Sequence, residues 1–471
     1  MLFGFLLCLV TTILIYYFGV RRNPRLPPGT FGWCPILGQT LAFLIPHAST
    51  SVGDFLEYNI KRYGKIFRSH LFGYPTIVSC DAEFNMFVLR NEGHLFASGY
   101  PRNIPEVLGD LTLIHLTGET HKRLRGVALS FFATVKTESE HFLADIEAGA
   151  LEIINSWKDK ETLHFCDEAR KFTFNVIVKQ ILSLRPNDHE ATEILHKFHS
   201  FMEGLISMPV NFPGTPYAKA IKARLEIEDI ARVLLHARRK VQTVDAERRT
   251  DFLDVLLTYE ELSEEEIVSM VMGLLLGGYE TTASLLAIIV KFLGDDPKAL
   301  NELQEEHQKV LEKKKDEGGG LRWEDYQCMT FTQNVINEAL RLGNVVKFVH
   351  RRTIQPIQYK GYEIPKGWKV LPVFTGVHMD SSLYLDPHQF NPWRWQNGDD
   401  GAGKRFMPFG GGKKHCPGWE LAKIETAVFI HHLVLMYSWT PLMDTDVPIS
   451  FPYLDFKHGL QISLKPLSPV S

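Results

Sequence analysis

The pattern with the clearest chemical meaning in this chain is a cysteine approached by three glycines, Phe409-Gly410-Gly411-Gly412-Lys413-Lys414-His415-Cys416-Pro417-Gly418. The glycines let the backbone turn tightly and pass close to a flat ligand. A helix starting after Pro417 and Gly418 aims amide donors back at the sulfur and stabilises a thiolate. A phosphate loop fails on spacing, because Lys413 is followed by Lys414 rather than Ser or Thr. The other five cysteines, Cys8, Cys34, Cys80, Cys166 and Cys328, show neither paired nor zinc-type spacing and read as small buried hydrophobes.

Three further segments carry chemistry-bearing side chains. Gly277-Gly278-Tyr279-Glu280-Thr281-Thr282 lies within an apolar run over 267–293. Two helical glycines cost roughly 1 kcal/mol each relative to Ala, so something must approach them closely. Glu280 beside Thr281 is an acid–alcohol pair suited to proton delivery, and the plainer alternative is a helix-packing glycine pair. Glu338 and Arg341 share a helix face at i, i+3; alone, such pairs are usually solvated and worth little. In Gly118-Glu119-Thr120-His121-Lys122-Arg123-Leu124-Arg125, His121 and Arg125 face one way while Lys122 and Arg123 point elsewhere.

The elements that position these residues are mostly helical. Apolar residues recur at i, i+3, i+4 from 121 to about 310, interrupted by a loop over 211–217. A charged helix follows over 295–315, and a final amphipathic helix over 421–436. Short β-like runs occur at 65–79, as a hairpin whose Pro75 marks the second strand as an edge, and again at 345–370. The class is therefore mainly α with small β-sheets, and strands drawn from both ends of the chain make one interwoven domain. Lys+Arg 51 against Asp+Glu 55 gives a net charge of −4, which points away from nucleic acid.

Residues 2–20 carry no charge and are followed by Arg21 and Arg22. That length and order predict a retained transmembrane anchor over 1–20 with the body of the protein in the cytosol. A Pro-rich linker is expected over 21–50 and the catalytic domain over 51–471.

The cysteine loop resembles the cytochrome P450 family, whose signature Phe-x-x-Gly-x-Arg-x-Cys-x-Gly is met in register by Phe409, Gly412, Cys416 and Gly418, with Lys414 in place of the usual Arg. The resemblance implies that fold, haem b and Cys416 as axial thiolate to its iron. Lys414 would then face a haem propionate as a point charge rather than a fork. It implies that His121, Arg125 and Arg351 bind propionates, and that Gly277 lets the cofactor approach. Thr281 would hydrogen-bond the oxygen being activated, with Glu280 relaying protons. Glu338, Arg341 and Arg394, the last within Phe390-Asn391-Pro392-Trp393-Arg394-Trp395, would form a structural cluster. That segment, with 211–217, 341–346 and 427–432, resembles the plant steroid and terpenoid branch, most of all brassinosteroid-pathway sterol C-22 hydroxylases. The implied activity is NADPH- and O2-dependent side-chain hydroxylation of a sterol, fed by NADPH-cytochrome P450 reductase at the endoplasmic reticulum membrane. Hydroxylation of another triterpenoid or diterpenoid, and a non-enzymatic haem or sterol sensor, stay open as alternatives. Lys122, Arg123, Lys404, Arg405 and Lys413 are expected to form a cationic reductase-docking patch.

Overall fold

The computed structural model describes residues 24–32, 38–137, 139–205, 207–241, 251–317, 319–396, 404–450 and 454–467. The expected anchor over 1–20 lies outside them. The nine longest described helices are α1 (Gly118–Thr137), α2 (Ser139–Asn155), α3 (Phe165–Leu182), α4 (His189–Leu205), α5 (Pro216–Val241), α6 (Glu264–Asp295), α7 (Pro297–Glu317), α8 (Thr330–Gly343) and α9 (Trp419–Met436).

The central element is α6. Ser263 and Glu266 form a reciprocal capping box, and Glu264, Glu265 and Glu266 place negative charge on the first turn, where the helix dipole favours it. From Thr282 to Leu293 every side chain is buried, packed into one cluster with α2, α8 and α9. The earlier half of α6 belongs to a second cluster with α1, α3, α4 and α5. Among the described residues α6 alone is long and apolar enough to cross a membrane, but it is the core of the fold.

The strands, numbered in chain order, form small sheets. The largest runs β2 (Ile66–Leu71), β3 (Tyr74–Ser79), β9 (Lys369–Pro372), β6 (Arg351–Thr353), β4 (Phe96–Ser98). Strand β3 is thus interior rather than an edge. Pro75 is tolerated because it pairs only with His70 on β2, and the parallel pairing with β9 begins one residue later at Thr76. A second sheet joins β1 (His47–Ala48), β11 (Pro448–Ser450) and β12 (Leu454–Phe456). A third joins β5 (Thr162–His164), β13 (Gln461–Pro466) and β10 (Tyr437–Pro441), and β7 (Ile357–Tyr359) pairs with β8 (Tyr362–Ile364).

Three further expectations are corrected. Much of the segment expected as a linker is built into the domain: Leu26 and Phe31 are buried, Pro28 O accepts from Arg68 N at 2.8 Å, and β1 pairs with β11. The loop expected over 211–217 ends at Thr215, since Pro216 opens α5, where its fixed φ suits a first turn. Helix α9 is buried nearly all round instead of along one stripe, because α2, α6, α7 and α8 all pack on it.

Candidate active site

The glycines of the cysteine loop have separate jobs. Gly410 and Gly412 sit at φ 72° and 64°, in the left-handed region that a side chain disfavours. A Cβ on Gly412 would also lie 2.1 Å from Leu89 O, so the loop presses on the backbone of the helix Ala82–Arg90. The loop then turns at the 3-10 segment Gly412–Lys414, and Cys416 N donates to Phe409 O at 3.0 Å. Phe409 shares a ring cluster with His415 and Trp419, so His415 is a packed neighbour of the loop. Burial pushes the Cys416 thiol up, opposed by the Gly418 N–H and by Arg125. The helix start alone does not prevail over burial; a bound cation is what makes such a sulfur an anion.

Beside this loop lies a cluster of cations with too few carboxylates. His121 is buried, and its ring is pushed down to about 4 by burial, then by Lys414, Arg125, Arg351 and Lys413. The imidazole is therefore neutral near neutral pH and available as a hydrogen-bond donor. Arg351 is 3% exposed and in contact with Glu92, itself 3% exposed, without hydrogen-bond alignment. Lys414 Nζ sits 3.8 Å from the other Glu92 oxygen and donates to Ile114 O at 2.9 Å and Leu116 O at 2.7 Å. Burial pushes Lys414 down to about 8. One buried carboxylate against Arg125, Arg351 and Lys414 leaves a positive surplus that calls for an anionic ligand. A haem, with two propionates, fits that surplus and fits a lone cysteine on a tight loop. Glu92 gives no local sequence signal, since its partners lie 259 and 322 positions away.

On α6 a narrow stripe opens where the helix is otherwise largely buried. Gly277 and Thr281, one turn apart, are exposed, and a Cβ on Gly277 would meet nothing within 4 Å. Thr281 Oγ1 donates to Gly277 O at 2.7 Å, leaving its lone pairs free to accept. Gly278 is different: a Cβ there would lie 2.6 Å from Ile177 Cδ1, so this glycine serves helix packing. Glu280 is not turned toward Thr281. Arg170 Nε contacts both of its oxygens at 3.1 Å, and Arg170 Nη2 reaches Oε1 at 2.7 Å. The expected acid–alcohol pair is adjacent in sequence and divided in space.

The Glu338–Arg341–Arg394 cluster forms in full. Glu338 Oε1 accepts from Arg341 Nη2 (2.8 Å), Asn391 N (3.0 Å) and Arg394 Nε (3.0 Å). Its Oε2 accepts from Arg341 Nε (2.9 Å) and Trp395 Nε1 (3.0 Å). Arg341 Nη1 passes to His378 O at 2.8 Å, and His378 Nε2 accepts from Met407 N at 3.1 Å, at the head of the cysteine loop. His378, missed by sequence reading, is thus the physical link between the cluster and the loop.

The expected cationic patch is thinner than expected. Arg123 pairs with Glu266 of α6, and Arg405 lies over the Tyr384 ring and donates to Leu383 O. Lys122, Lys404 and Lys413 stay exposed.

A glycine-cradled cysteine, a surplus of buried cations and an open alcohol stripe on a core helix are together what a haem-thiolate oxygenase requires. The Cytochrome P450 family profile matches residues 27–464. The chain is 49% identical to Cytochrome P450 724B1 of Oryza sativa subsp. japonica, covering 98% of this chain and 96% of that protein. It is 44% identical to Cholesterol 22-monohydroxylase CYP90B52 of Paris polyphylla, over 99% of this chain and 100% of the relative. A rice Steroid (22S)-hydroxylase is also 44% identical, over 94% and 88%. The solved structure of retinoic acid bound cyanobacterial CYP120A1 superposes with a TM-score of 0.83 at 26% identity, covering 94% of this chain and all of that one. The chain belongs to the cytochrome P450 family, binds haem, and is a monooxygenase.

Proposed function

We propose that this protein hydroxylates the side chain of a sterol at or near C-22, taking electrons from NADPH through NADPH-cytochrome P450 reductase. The observation that carries the substrate is that relatives matched along nearly their whole length are named cholesterol and steroid 22-hydroxylases. A haem with a thiolate ligand supplies the activation of O2 for insertion of one oxygen atom into a C–H bond. Cys416 would be the sulfur ligand, with the Gly418 N–H directed at it. Arg125, Arg351 and Lys414 with neutral His121 would hold the propionates. Thr281 Oγ1, its own proton committed to Gly277 O, accepts a hydrogen bond from water entering along the open stripe.

Residues 1–20 are proposed as the anchor, ahead of a domain in the cytosol at the endoplasmic reticulum membrane. Met208 and Phe212, at 79% and 67% exposed, give the loop before α5 an apolar tip suited to the same lipid surface.

The test is reconstitution with reductase, NADPH and a panel of sterols, products being assigned by mass spectrometry and NMR. A 22-hydroxylated sterol is expected; oxidation elsewhere, or turnover only of a non-steroidal terpenoid, would move the substrate. No NADPH-dependent turnover of any of them would favour a sensor. Cys416→Ala should abolish the long-wavelength Soret band of the reduced, carbon monoxide-bound protein.

A further inference from the structure

On α3, Arg170, Thr173 and Ile177 form one stripe at i, i+3, i+7 and meet three successive residues of α6. Arg170 takes Glu280 through both carboxylate oxygens. Thr173 Oγ1 donates to Tyr279 O at 2.9 Å. Ile177 fills the space a Gly278 side chain would need. At 3.6 residues per turn, Tyr279 lies roughly 160° round the helix from Thr281. Glu280 lies about 100° and Gly278 about 60° round from Thr281, so the three contacts hold α6 behind and on both flanks of Thr281 and leave the Thr281 direction itself open.

The same guanidinium reaches a third element. Arg170 Nη2 bonds Asp455 Oδ1 on β12 at 3.1 Å while bonding Glu280 Oε1 at 2.7 Å. One turn further along α6, Ser284 Oγ donates to Leu454 O at 3.3 Å. Strand β12 is thus tied to α6 at two points on either side of Thr281 in sequence.

We propose that Arg170 is a positioning residue for the oxygen chemistry: it locks the Thr281 turn of α6 to β12, and Glu280 serves as half of that lock instead of as a proton donor. Both oxygens of Glu280 face a permanently charged fork on α3, so a proton needed at Thr281 arrives by way of water in the open stripe. The geometry also explains why an acid beside an alcohol in sequence is not beside it in space: neighbours on a helix point about 100° apart.

The inference rests on the monooxygenase reading, and the test uses one measurement that does not. In the haem-loaded full chain, Arg170→Gln and Glu280→Gln should each lower the share of NADPH electrons recovered as product on the order of tenfold, the size of effect that small misplacements produce. The double variant should be no worse than either single one, and Arg170→Lys should recover part of the loss. The solvent deuterium isotope effect in Glu280→Gln should stay at its native value. Hydrogen–deuterium exchange, read independently of turnover, should rise together over 277–284 and 454–456 in Arg170→Gln. Tight coupling in Arg170→Gln with uncoupling and a raised isotope effect in Glu280→Gln would make Glu280 the proton donor and overturn the proposal. Exchange rising over one segment and not the other would remove the lock. Should Arg170→Gln fail to bind haem, Arg170→Lys and Asp455→Asn carry the same comparison.

Discussion

Replacing Glu338 by Gln keeps the shape of the side chain and removes its charge, which isolates what the charge does. Glu338 and Arg341 are both 0% exposed, so neither can fall back on water. The carboxylate accepts five hydrogen bonds, three on Oε1 and two on Oε2. An amide keeps an acceptor for the three and sets its NH2 against the two remaining N–H donors, Arg341 Nε and Trp395 Nε1. Losing two hydrogen bonds to a charged group, at about 1.5–3 kcal/mol each, gives about 3–6 kcal/mol. That agrees with the ~3–5 kcal/mol expected when one partner of a buried ion pair is removed. Against a total stability of order 5–15 kcal/mol, the loss is large. In a chain of this length it lowers the melting midpoint by about 3–6 °C. Because Arg341 continues through His378 to Met407, haem retention should fall with it, measured as the carbon monoxide-bound Soret band per unit protein. Arg394→Ala should cost less, about 1–2 kcal/mol, since Arg394 is 12% exposed and sits at the rim of the cluster. Native melting and haem content in Glu338→Gln would refute the reasoning.

Thr281→Ala should keep haem and substrate-binding spectra while diverting electrons to peroxide, and tight coupling in that variant would remove the hydroxyl from proton handling. Gly278→Ala should destabilise by ~1–3 kcal/mol through overlap with Ile177, whereas Gly277→Ala should melt normally and change substrate binding; comparing the two melts checks the assignment. His378 donates from Nδ1 to Asn344 Oδ1 and accepts at Nε2 from Met407 N, and burial pushes it down to about 3 from 6.5. The unfolded chain therefore takes up a proton below pH 6.5 that the folded protein refuses, so stability falls as pH drops from 6.5 toward 3. His378's own share of that slope is about 1.4 kcal/mol per pH unit, and His378→Gln should reduce the slope by that amount in denaturant titrations. Lys122 and Lys413 are exposed, and Lys413 is near enough to act on His121, which places both by α1. Reversing both to Glu should slow reduction by the reductase at low salt and leave substrate spectra unchanged; equal rates would place the docking face elsewhere.

Much of the site could be read from local spacing. The cysteine loop, the Glu338–Arg341 pair and the His121–Arg125 turn are each contained within ten residues or fewer. The residues that spacing misses are those whose partners are distant in sequence: Glu92 for Arg351, His378 for Met407, Arg170 for Glu280. Glu280 shows the hazard of adjacency, since sequence neighbours on a helix leave it in different directions. Pro75 shows another, because strand order decides whether a missing N–H matters, and strand order is a long-range fact. Helix α9 carries polar residues such as Glu425 and His431 among its apolar ones, which suggests a wet face, yet these two are 1% and 3% exposed.

The central sheet has a consequence for synthesis. Strand β3 ends at Ser79, and the strand that covers its open side, β9, begins at Lys369. About 290 residues must be translated in between, which at about 5–20 residues per second takes roughly 15–60 s. Throughout that interval the side of β3 that β9 will cover has no partner strand, the kind of edge that invites wrong partners. The cysteine at 416 emerges later still, so the sulfur proposed to hold haem is made only after the residues that build most of the fold.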